Sequence, residues 1–235
     1  MTVSVSLSDS ATSKGSLSSI LSAAVQFWLR SQVERAETLT IEFSGKNRQL
    51  LRGEIPSIQV KAQAAVYQGL HLGQVALKAG SVRLNLRQIL QGKPLRLLQP
   101  VPVQLAVQLQ EDDLTASLAS PLLQEAIAEV FEGILPADVD LTGAEIQLKG
   151  DRLHLFTSSA PGYHLSTGLQ VNANDEATQI SLETPQLRQQ GESSPQTFPC
   201  REIPLDATVS IEALTCNQGV LNLSGSLQLT VDSDQ

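Results

Sequence analysis

The side chains able to do acid–base or metal chemistry are few. His71, His154 and His164 are the only histidines, Cys200 and Cys216 the only cysteines, and Glu111-Asp112-Asp113 the one run of three adjacent carboxylates. His71 and His154 each stand between leucines on alternating segments, which points both rings to the wet face of a strand. No two histidines share the short spacing of metal ligands on one element. Adjacent carboxylates seldom converge on one substrate, and capping of a following helix by Asp112 or Asp113 accounts for them. No Gly-x-Ser-x-Gly elbow, phosphate-cradling glycine loop or dinucleotide fingerprint occurs. The sequence therefore predicts no catalytic residues, no metal, no cofactor and no enzyme.

The segment between Cys200 and Cys216, Arg201 to Thr215, reads mainly as extended chain. That holds the two sulfurs beyond bridging distance and predicts free thiols in a reducing compartment. The apolar stretch Ile20–Leu29 is broken by Ser22 and Gln26 and is too short to span a bilayer. Asp9 precedes it, Lys14 is its only upstream cation, and Arg30 to Arg35 follow where an export signal would carry a cleavage site. The expected location is cytoplasmic, peripheral to a membrane, with no signal peptide and no transmembrane helix.

The elements that must position these groups are mostly strands. Residues 1–15 are rich in Ser and Thr and read as a disordered tail, and residues 16–232 as a single β-rich domain. Ser16–Glu37 has helical periodicity, with Leu17, Ile20, Leu21, Ala24, Val25, Trp28, Leu29 and Val33 on one face. It could lie on a membrane with Trp28 at the headgroups, but its Ser- and Gln-rich polar face favours packing under a sheet. Apolar alternation then marks strands through Leu39–Phe43, Ile58–Ala62, Leu70–Leu77, Val82–Leu86 and Val103–Leu109. A helix pair follows. Leu114 and Leu118 line the first helix. Ser120-Pro121 opens the second, whose face is Leu122, Leu123, Ala126, Ile127, Val130 and Phe131, and Gly133 and Pro136 end it. Strands resume at Ile146–Leu148, Leu153–Leu155, Leu165–Val171, Ile180–Leu182, Leu205–Ile211 and Leu221–Val231, with turns at Gly150-Asp151 and Gln218-Gly219. The expected class is α+β, mostly β: a long curved antiparallel meander wrapped around an N-terminal helix and a central helix pair.

Composition narrows the partner. Only 17% of residues are charged while 41% are hydrophobic, which argues against disorder. Aromatics are 3%, so the apolar mass is aliphatic. Such an interior suits a pocket for flexible acyl chains; a plain Leu-rich core is the alternative. Residues 1–100 hold 12 Lys/Arg against 5 Asp/Glu, and residues 101–235 hold 4 against 19. The basic part could face anionic headgroups, or its charges could simply solvate outer strand faces. Nucleic acid is disfavoured by the overall acidity and the lack of stacking rings.

Four stretches carry a resemblance. In order they are Leu51-Arg52-Gly53-Glu54-Ile55-Pro56, Ala65-Val66-Tyr67-Gln68-Gly69-Leu70-His71-Leu72, Gly92-Lys93-Pro94-Leu95-Arg96-Leu97-Leu98 and Glu111-Asp112-Asp113-Leu114-Thr115-Ala116-Ser117-Leu118. Together they resemble the LmeA-like phospholipid-binding domain family of bacteria, over roughly Leu17 to Val231. The resemblance implies a sheet wrapped around a helix, similar to tubular lipid-binding folds, with a groove for phospholipid tails and no catalysis. Envelope members carry an export signal, which is not found at this N-terminus. The expected partner is a phospholipid or an anionic membrane surface. Leu114, Leu118, Leu122, Ile127, Val130 and Phe131 are the candidate tail groove. Arg48, Arg52, Arg83, Arg87, Lys93 and Arg96 are the candidate headgroup contacts. The rival expectation is an adaptor that pairs with a partner complex through strand edges, around a solid core.

Overall fold

The computed structural model describes residues 2–7, 33–50, 52–89, 91–94, 96–173 and 178–230. The strands are β1 (Thr2–Leu7), β2 (Thr38–Ser44), β3 (Glu54–Tyr67), β4 (Leu70–Arg83), β5 (Val101–Gln110), β6 (Glu145–Lys149), β7 (Arg152–Phe156), β8 (Tyr163–Ala173), β9 (Thr178–Gln189), β10 (Gln196–Thr197), β11 (Arg201–Pro204), β12 (Val209–Asn217) and β13 (Val220–Leu229). The helices are α1 (Asn47–Leu50), α2 (Leu86–Ile89), α3 (Glu111–Ser117) and α4 (Pro121–Val130). One sheet runs β1-β2-β3-β4-β5-β13-β12; the other runs β10-β9-β8-β7-β6, with β11 also on β9. The mostly-β antiparallel class and the central helix pair are as the sequence predicts, with the strands divided between two sheets.

Several local expectations change. Thr2–Leu7, within the stretch read as a tail, pairs in parallel with β2. The helix expected over Ser16–Glu37 lies outside the described residues as far as Gln32, and Val33–Glu37 lead into β2 without helical structure. Leu86 opens α2 instead of continuing a strand. Leu205–Thr208 is not strand, because the Asp206 carboxylate accepts the Thr208 backbone N–H at 2.8 Å and its hydroxyl at 2.7 Å, a local turn that competes with ladder pairing.

The described residues fall into two compact units. The first comprises the described residues within 1–65, 74–105 and 226–235, and the second those within 66–73 and 106–225. In the first, alternation does what a half-buried sheet requires: Leu39, Ile41 and Phe43 of β2 are buried, as are Val60 and Ala62 of β3 and Val101 and Val103 of β5. Gly53 carries φ +76°, and a Cβ there would collide with the Leu84 carbonyl oxygen, so the motif around it admits only glycine. Asn85 is 6% exposed and closes the loop that follows α2. Its Nδ2 donates to the Pro94 carbonyl at 2.9 Å, and its Oδ1 accepts the Arg96 N–H at 2.8 Å. Asn85→Ala leaves both backbone groups without this partner. It is expected to cost about 1–3 kcal/mol and to speed amide exchange at Arg96.

In the second unit, α3 and α4 cover one face of the six-stranded sheet. Leu114, Leu118, Ile127 and Phe131 pack there with Ile146, Leu148, Leu155, Leu165 and Leu182. The tight β6–β7 turn uses Gly150 and Asp151, both with positive φ, at +58° and +59°, as its sequence signals. Ser120 precedes α4 as expected, but its hydroxyl donates to the Gln68 carbonyl at 2.8 Å and makes no cap bond. Two carboxylates of the run are spent on backbone. Glu111 accepts the Leu148 N–H at 2.6 Å, and Asp113 accepts the Gln110 N–H at 2.9 Å at the start of α3.

Candidate functional site

The second unit contains a pocket of about 650 Å³ whose lining is about half polar and half apolar. It lies between the C-terminal half of α4 and the loop 132–142. Its apolar walls include Ile127, Phe131, Leu135, Val139 and Leu141, and Gln124, Glu129, Glu132 and Asp140 supply polar groups. Helix α4 stops after Val130, and Gly133 takes φ +74°, which turns the chain into that loop. Arg201 of β11 donates to the Glu132 carbonyl and braces the loop from the neighbouring strand.

Of the six residues assigned to a tail groove, Ile127 and Phe131 line this pocket. Leu114 and Leu118 are 8% and 2% exposed inside the packed core, and Val130 lies partly buried against that core. Leu122 is 44% exposed on α4 and is not among the lining residues. Leu135, Val139 and Leu141 were missed. They belong to an irregular loop, where no periodicity marks a face.

The opposite face of the six-stranded sheet is polar, and register assembles it. The β6–β7–β8–β9 pairing sets Glu145, Phe156, His164 and Arg188 in one row, and Gln147, His154, Ser166 and Gln186 in the next. His154 Nδ1 lies 3.0 Å from His164 Nε2, and the Phe156 ring stacks on His164 with centroids 4.3 Å apart. Arg152 lies across the same face and donates to Ser166 Oγ at 2.9 Å and to the Thr184 carbonyl at 2.9 Å. A cleft of about 260 Å³ beside His164 is lined by Phe156, Thr157, Gly162, Tyr163, Arg188 and Gln190.

The sequence matches the model of the LmeA-like phospholipid-binding family over residues 14–226, which is most of its length. The chain belongs to the LmeA-like phospholipid-binding family. No match was found among curated proteins or among solved structures.

For an LmeA-like chain the candidate headgroup cations matter. All six lie in the first unit. Arg48, Arg52, Lys93 and Arg96 are exposed. Arg83 donates to Glu54 at 2.9 Å in an exposed ion pair. Arg87 falls in α2, and its side chain lies outside the described residues.

The thiols are separate. Cys200 is exposed, and Cys216 is buried in the core of this LmeA-like second unit. Burial, then the carboxylates of Asp151 and Glu111, pushes the Cys216 thiol up, so it stays protonated and unreactive. Among the described residues no group of three or more His, Cys, Asp or Glu is arranged to hold a metal ion. Among the described residues no helix is long and apolar enough to cross a membrane.

Burial, then electrostatic repulsion from His154, then from Arg188, holds the His164 imidazole below its ordinary range. The unfolded chain protonates this histidine near pH 6.5, roughly its reference value, while the folded chain resists until lower pH. Below about 6.5 the unfolded state thus binds more protons, and stability falls as pH falls through that window. The urea midpoint is expected to drop between about pH 7.5 and 5.5. His164→Gln should flatten that slope, and an unchanged slope would contradict the assignment.

Proposed function

We propose that this protein binds a phospholipid without catalysis and takes acyl tails against the apolar wall of the pocket between α4 and the loop 132–142. Membership of the LmeA-like phospholipid-binding family carries this reading. The pocket supports it with a place for tails. Its size is within the range of ligand sites, roughly 300–1,000 Å³, and its walls at Ile127, Phe131, Leu135, Val139 and Leu141 are mainly aliphatic. Each methylene taken from water contributes about 0.8 kcal/mol, so a few buried tail carbons are enough to hold a lipid. Exposed Arg48, Arg52 and Lys93 then meet an anionic membrane surface, each adding on the order of 1 kcal/mol, and the protein works peripherally.

The test is native mass spectrometry of the purified full chain, with pelleting on phosphatidylglycerol vesicles at low and high salt. Co-purified phospholipid and salt-sensitive vesicle binding are expected. A lipid-free protein that also ignores vesicles at low salt would overturn the reading.

A further inference from the structure

Residues 101–235 hold only 4 Lys/Arg among 19 Asp/Glu. Three of those four, Lys149, Arg152 and Arg188, lie on the same outer face of the six-stranded sheet as His154 and His164; Arg188 pairs with His164, and Lys149 pairs with Arg152 in the row beyond His154. Two of the three histidines and most of the scarce cations therefore share one face. Random placement on an acidic surface would scatter them. Lys149 donates to Gln147 at 2.6 Å, and Arg152 is occupied by Ser166 and Thr184. Arg188 makes no ion pair with a described carboxylate. The nearby acids are engaged otherwise: Glu145 accepts from Gln147 at 2.6 Å, and Glu192 from the Gln189 N–H at 3.1 Å. Asp151 sits in the β6–β7 turn, beyond the His164 row.

We propose that the cleft formed by His164, Arg188 and Gln190 binds a phosphate group. Its lining offers what a phosphate oxygen takes: a guanidinium fork, an imidazole N–H and an amide. One imidazole of the His154–His164 pair can donate into the cleft while the other holds its orientation. The loop 157–162 that borders the cleft is tied to the segment that borders the pocket. Thr157 and Gly162 line the cleft, while Ser158 Oγ donates to the Gly143 carbonyl at 2.5 Å, next to the pocket residues Leu141 and Thr142. The phosphate of a bound phospholipid is one source, and that assignment rests on the proposed lipid binding; free phosphate is the other. An arriving phosphate offsets the repulsion between His164 and Arg188, so binding strengthens on acidification through the imidazole range.

The test follows the three imidazoles of the full chain by NMR during titration with inorganic phosphate, in parallel with vesicle pelleting. In the wild type, phosphate is expected to shift the His164 resonances and raise the pH at which they titrate. Arg188→Gln should remove that response and weaken retention on phosphatidylglycerol vesicles about fivefold, with Arg188→Lys recovering part of both. A His164 signal indifferent to phosphate would overturn the site. A phosphate response with vesicle retention unchanged in Arg188→Gln would support a soluble-phosphate site and overturn the headgroup source. Absence of any co-purified or vesicle lipid would overturn the lipid reading alone, and the phosphate titration would still decide the cleft.

Discussion

Ala128→Trp protein is expected to bind phospholipid on the order of fiftyfold more weakly than the wild type while folding normally. Ala128 lines the pocket from α4 and is exposed, so an indole there enters the pocket without displacing core atoms. Excluding three methylenes of a tail costs about 2.4 kcal/mol, which is roughly that factor in affinity. Substitution at an exposed helical site shifts stability by only about 0.5 kcal/mol. The comparison is with Leu122→Ser on the same helix, which should leave the lipid load unchanged because Leu122 does not line the pocket. Leu118→Trp, the groove-filling change the sequence alone would recommend, is a poor test. Leu118 is 2% exposed, and overpacking it costs about 1–3 kcal/mol of stability. Equal lipid loads in Ala128→Trp and wild-type protein would place the tails elsewhere.

Leu165→Ala is expected to lower stability by about 2–5 kcal/mol. Leu165 has no exposed surface and sits between Leu155 and Leu187 in the ladder of β7, β8 and β9. Hydrogen-bonded strands on both sides hold the backbone, so the site cannot collapse to fill the cavity. That keeps the cost away from the low end of the range. Amide exchange along β8 and the urea midpoint measure it. A loss under about 1 kcal/mol would mean a loosely packed core. The two substitutions separate binding from folding: one should cost lipid and little stability, the other stability in the unit that holds the pocket.

Much of this was legible in the residues because it depends on near neighbours. Alternation at Leu39, Ile41 and Phe43 names the buried face of β2 before any partner strand is known. Pro121, Gly133 and the three- and four-residue spacing between them delimit α4, because helical hydrogen bonds close within a turn. Gly150-Asp151 marks its hairpin because few residues tolerate two positive φ values in succession. The ordered motifs from Leu51 to Leu118 pointed to the family that the match over residues 14–226 establishes.

What depended on long-range pairing was out of reach. Ser120 reads as a helix cap, yet its hydroxyl goes to Gln68, fifty-two positions away, because a distant turn offers its carbonyl. His154 and His164 read as two independent wet-face residues. Only the β7–β8 register, set by the loop between them, brings their nitrogens to 3.0 Å and seats Arg188 across the next strand. Composition could not tell filled core from open pocket. Both are made of the same side chains, and only their packed positions decide whether Leu118 or Leu135 borders empty space.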